Sequence, residues 1–161
     1  MAESRDDVVR QLREIEPGRR ANRVLHDLLL RPRFTSYWTF LEPPHEGTEL
    51  ADVVVVWDDT AILFEAKTRA VRRPASEAWL RGKIQESISQ LNDRAQMLQT
   101  GDVVLRNRWR GEMRFDPSRI KHLYGIIVLT ASFEPFEWRE LASGAARRAR
   151  IPVLMRRFSS R

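Results

Sequence analysis

No cysteine occurs among the 161 residues, which excludes disulfides and any thiolate metal site. Histidine is nearly as scarce. His26, His45 and His122 stand far apart with no ligand spacing, so an imidazole-held zinc is not expected. No apolar run approaches the ~20 residues that a membrane-spanning helix needs. The polar start Met-Ala-Glu-Ser-Arg-Asp-Asp has no signal-peptide core, and a cytoplasmic location is the expectation. Internal repeats and low-complexity linkers are missing too, so one domain over 1–161 is expected, long enough for a real core. Lysine is confined to Lys67, Lys83 and Lys121, leaving arginine as 25 of the 28 basic residues. The formal net charge of +6 favours a polyanionic partner, and arginine suits bidentate phosphate contact.

What is present centres on Glu49–Lys67. Two β-branched and apolar runs flank the polar pair Asp58-Asp59, a hairpin signal. With those two residues as the loop, Trp57 faces Thr60, Val56 faces Ala61, and the ladder runs back to Asp52 facing Glu65. Opposed residues share one face of the sheet about 5 Å apart at Cβ, and Lys67 points to that face as well. Two carboxylates so placed repel each other. A divalent cation between them removes the penalty, and hard oxygen donors suit Mg²⁺ or Mn²⁺. Three exposed charged residues on an ordinary hairpin have the same spacing.

Asp52, twelve residues, then Glu65-Ala66-Lys67 resembles the signature of the PD-(D/E)xK nuclease superfamily, which has the restriction-endonuclease-like fold. Glu49-Leu50-Ala51-Asp52 and Phe64-Glu65-Ala66-Lys67 are close to forms seen in bacterial members. The resemblance implies Asp52 and Glu65 as metal ligands and the carbonyl of Ala66 as a further one. It implies Lys67 as the group that orients water or stabilises charge at phosphorus. Family members often carry a glutamine on the helix after the motif, with a tyrosine four residues on. Gln85 and Gln90 both stand at suitable distances, but Ser89 and Arg94 occupy the tyrosine places. The family's glutamate on the preceding helix is also absent, with Asn22 standing there. Glu49 is a further ligand candidate, although a regular strand turns it away from Asp52.

Helical spacing is expected over 6–16 and 19–30, a first strand over Phe34–Leu41, and a long helix from Ala75 to about Leu98 with Ser76 as N-cap. Its apolar stripe is Leu80, Ile84, Ile88, Leu91, Ala95 and Leu98. One polar flank holds Arg81, Gln85, Asn92 and Gln96; the other holds Lys83, Ser87, Gln90 and Arg94. Leu123–Leu129 reads as a strand buried on both faces, 136–146 as a helix and Ile151–Met155 as a last strand. The order is α-β-β-β-α-β-α-β, an α/β domain that matches the mixed sheet of the resembled superfamily with its αβββαβ core flanked by helices.

Arginines near the motif, Arg69, Arg72 and Arg73, are candidates for phosphate contact. Arg108 and Arg110 around Trp109 are candidates for charge and stacking contact. The combined expectation is a magnesium-dependent deoxyribonuclease, a cytoplasmic phosphodiesterase that hydrolyses nucleic acid, with DNA expected over RNA as the substrate. A catalytically inactive nucleic-acid-binding module of the same fold is the alternative, as is the nuclease domain of a restriction or phage-defence effector. A homodimer or partner domain stays open at this stage, and no membrane partner is expected.

Overall fold

The computed structural model describes residues 38–41, 44–45, 48–69, 74–100, 103–107, 109–131, 144, 147–150 and 152–159. The helices expected over 6–16 and 19–30 lie outside the described residues, as does the one over 136–146 apart from position 144. Within the described residues the elements run β1 (Thr39–Leu41), β2 (Pro44–His45), β3 (Thr48–Glu49), β4 (Val53–Trp57), β5 (Thr60–Thr68), α1 (Glu77–Thr100), β6 (Val104–Asn107), β7 (Gly111–Arg114), a 3₁₀ turn (Pro117–Arg119), β8 (His122–Ala131) and β9 (Val153–Ser159).

The main sheet has five strands in the order β1-β4-β5-β8-β9. β1, β4 and β5 form an antiparallel meander, and β8 and β9 add in parallel. The β4–β5 hairpin has the expected register, with Trp57 opposite Thr60, Val56 opposite Ala61 and Val53 opposite Phe64. Asp58 adopts φ 51°, the positive φ that primed two-residue hairpin turns need at their first central residue, and one that aspartate tolerates. The Asp59 carbonyl accepts from the Lys121 and His122 amides at 2.8 and 3.1 Å, which ties the turn to the start of β8.

Period-2 alternation along β4 and β5 makes two apolar faces. Val54, Val56, Ala61 and Leu63 share a cluster with Leu80, Ile84, Ile88, Leu91, Ala95 and Leu98 of α1. Val53 and Phe64 turn the other way and cluster with Val128, Val55, Ile62 and Ile126. The stripe read from the sequence is the buried stripe of α1, with Ser87 added to it. Each fully buried Leu or Ile there contributes about 1.5–3 kcal/mol of burial free energy. Ser76 caps the helix, its Oγ accepting from the Trp79 amide at 3.3 Å.

β8 is buried at Ile127, Val128 and Leu129, but Tyr124 is 41% exposed. The expectation of two covered faces therefore holds for its second half and not for its first. The segment after α1 forms the β6–β7 hairpin, pinned to β1 by Asn107 Nδ2 donating to the Thr39 carbonyl at 3.2 Å. None of the described helices is long and apolar enough to cross a membrane.

Candidate functional site

β5 is paired on both sides, with β4 and with β8, so its side chains project from the middle of the sheet. Ala61 and Leu63 pack in the cluster that includes α1. Alternation carries Glu65 and Lys67 to the same side, beneath the helix. The ladder pairs end at Val53 opposite Phe64, and the chain bends at Asp52. Asp52 then reaches across: its Oδ2 accepts from the Ala66 amide at 2.6 Å. Asp52 and Glu65 are thus neighbours, and the Asp52 carboxylate ends the ladder where a backbone acceptor would otherwise stand.

Glu65 is only 1% exposed. A carboxylate so far out of water requires a cation or a proton, and cations surround it. Arg94 pairs with its Oε1, and Lys67 Nζ lies 3.6 Å from its Oε2. Lys67 in turn donates to Gln90 Oε1 at 2.7 Å and lies 3.3 Å from Glu86 Oε1. Lys83 Nζ, from the previous turn, donates to Glu86 Oε2 at 2.6 Å. The result is a row of alternating charge: Lys83, Glu86, Lys67, Glu65, Arg94. The hydrogen bond from Lys83 holds the Glu86 carboxyl below its ordinary value, opposed by partial burial and aided by the Lys67 charge.

Asp52, Glu65, Ala66 and Lys67 come together. Of the two glutamines, Gln90 meets Lys67, whereas Gln85 is exposed on α1 and has no contact with Lys67 among the described interactions. The reason is angular: the flank with Lys83, Ser87, Gln90 and Arg94 turns toward β5. The opposite flank meets the chain near β9, where Asn92 Oδ1 accepts from the Arg150 amide at 2.7 Å. Glu49 lies in β3, paired with β2 rather than with β5. β4 begins at Val53 and does not extend back to it.

Among the arginines, Arg69 places its guanidinium 5.5 Å from the Trp79 ring centroid. Arg72, Arg73 and Arg108 lie outside the described residues. Arg110 stacks 4.3 Å over Trp38, beside an open cavity of about 430 Å³ that Trp57, Arg114 and Arg119 also line. This cavity adjoins the turn end of the hairpin, the far end of β5 from Lys67. Arg94 and Glu86 are two residues of the row of alternating charge that the sequence reading did not select as site residues. Their spacing from Gln90, four residues on either side, is the signal that could have found them.

Among the described residues no cluster of three or more His, Cys, Asp or Glu could hold a metal. The residues that the resemblance names as ligands, Asp52, Glu65 and the Ala66 carbonyl, would offer oxygen donors only. Such a set fits Mg²⁺, which commonly binds through one or two carboxylates and fills its other positions with water and phosphate. Arg94 and Lys67 already supply positive charge at Glu65. The chain matches no family model, no curated protein and no solved structure.

Proposed function

We propose that this chain is a metal-dependent phosphodiesterase acting on nucleic acid, with DNA as the expected substrate, built on a restriction-endonuclease-like core. The observation that carries the reading is Lys67 donating to Gln90 at 2.7 Å while standing beside Glu65, with Asp52 bonded to Ala66 one residue away. A lone ion pair on a hairpin needs no helix side chain to aim its amine, and this one has such a support.

Asp52, Glu65 and the Ala66 carbonyl would hold Mg²⁺, with Mn²⁺ able to substitute. Bound there, the ion supplies charge neutralisation at the phosphate and lowers the pKa of water. Lys67 orients the attacking water or stabilises charge developing on the phosphate. Gln90 fixes the Lys67 ammonium, removing rotamer freedom that would blur its position. Glu86 shares the Lys67 charge and, through Lys83, is itself kept ionised. The arginines bind the phosphate backbone without reading sequence.

One observation favours a second reading, a binding module of the same fold that does not cleave. Arg94 already neutralises Glu65, as a permanently metal-free centre would require. Incubation of plasmid and single-stranded DNA with Mg²⁺, Mn²⁺ or EDTA separates the two. The enzyme reading expects cleavage with either ion and none in EDTA. Binding without cleavage under all three conditions leaves the module.

A further inference from the structure

We infer that Arg94 is the resident counter-cation of Glu65 and that a divalent ion must displace it to bind. The inference rests on the metal reading above and assigns a positioning residue to it. Glu65 is 1% exposed, so its charge has to be met by neighbours. Lys67 cannot meet it alone. Its ammonium is 3.6 Å from Oε2, donates to Gln90 at 2.7 Å and is shared with Glu86 at 3.3 Å. The Oε1 side belongs to Arg94.

α1 sets this geometry. Gln90 and Arg94 are four residues apart on one face, so the turn that aims Lys67 also delivers the guanidinium to Glu65. Arginine does not lose its proton in proteins, so the contact opens only by movement of the side chain. The Arg94 side chain is 16% exposed, and its long stem gives the head a route toward solvent. A guanidinium leaving Glu65 carries a donor fork that matches a phosphate. An ion at Asp52 and Glu65 and a phosphate on Arg94 then favour each other, while the ion without nucleic acid is held weakly. The same contact holds Glu65 in place while no ion is bound.

The test is a Mn²⁺ titration of the full chain by calorimetry without nucleic acid, together with thermal denaturation in EDTA and in Mn²⁺. Arg94→Gln keeps an amide donor toward Glu65 but removes the charge. It is expected to bind Mn²⁺ about tenfold more tightly than the parent, the size of one partly buried charge contact. Arg94→Lys, which keeps the cation, stays near the parent value, and Glu65→Gln loses the binding. In EDTA, Arg94→Gln melts below the parent, and Mn²⁺ raises its Tm by more than it raises the parent's. Equal Mn²⁺ affinity in the parent and Arg94→Gln, with Glu65→Gln still abolishing it, overturns the competition while leaving the metal site standing. Absence of Mn²⁺ binding in the parent and in every variant overturns the metal reading and this inference with it.

Discussion

A carboxylate almost wholly removed from water is the residue on which the site turns. Glu65 is tolerated at the centre of the sheet because Arg94 and Lys67 lie against its two oxygens. Removing one partner of a buried pair costs more than removing the charge itself. Arg94→Ala should therefore destabilise the fold by about 1–3 kcal/mol, and Glu65→Gln by less, with urea unfolding as the measurement. A larger loss in Glu65→Gln would mean that the carboxylate, not its neutralisation, supports the fold. The sequence shows Arg94 only as a flank-mate of Gln90, four residues on. Nothing local says which flank of a helix will face a strand some thirty positions earlier. The shared face of Glu65 and Lys67 was legible because a two-residue turn and strict alternation fix it without any long-range information, whereas Asp52 lies past the end of the ladder and reaches Ala66 by its side chain.

At the scale of elements, the hairpin carries Glu65 and Lys67, and α1 carries the Gln90 and Arg94 side chains that meet them. The helix was readable from its stripe, and Leu91, Ile84 and Leu80 are all at most 1% exposed. Leu91→Ala, at the middle of the stripe, should cost about 2–5 kcal/mol and loosen Gln90 and Arg94 with it. Denaturant titration reads the first effect, and the line width of the Lys67 ammonium resonance reads the second. The charge row along this face has its own pH signature. Glu86 has a lowered pKa, chiefly through Lys83 and then through Lys67. Its contribution to stability is thus complete above the unfolded-state value and lost as pH falls through the lowered folded value. By carboxyl NMR titration, Lys83→Ala should raise the Glu86 pKa more than Lys67→Ala does. The reverse order would mean that the Lys67 contact dominates. Less legible were the covering of β8 and the choice between Gln85 and Gln90. Both depend on how neighbouring elements lie across the sheet, which periodicity alone does not encode.

For the molecule as a whole, the excess of arginine gives a field rather than a fold. The net charge of +6 should make nucleic-acid affinity fall linearly on a log–log plot against salt, with a slope of about −0.9 per phosphate contacted. Arg110, stacked on Trp38 beside the cavity at the turn end of the hairpin, is the described residue best placed to test this. Arg110→Ala should reduce the magnitude of that slope by about one phosphate contact, as read by fluorescence anisotropy across a salt series. An unchanged slope would remove this end of the molecule from the binding surface.

The α/β architecture, a mixed sheet with one long helix packed on it among the described residues, brings Asp52, Glu65 and Lys67 to one end of the central strand. Whether that end performs hydrolysis is decided most directly by comparing Mg²⁺-dependent DNA cleavage in the parent chain and in Lys67→Ala, after matching their thermal unfolding. The parent is expected to cleave, and Lys67→Ala is expected to fold, keep most of its DNA affinity and cleave nothing. Undiminished cleavage by Lys67→Ala, or none by a folded parent with Mg²⁺ or Mn²⁺, would contradict the account.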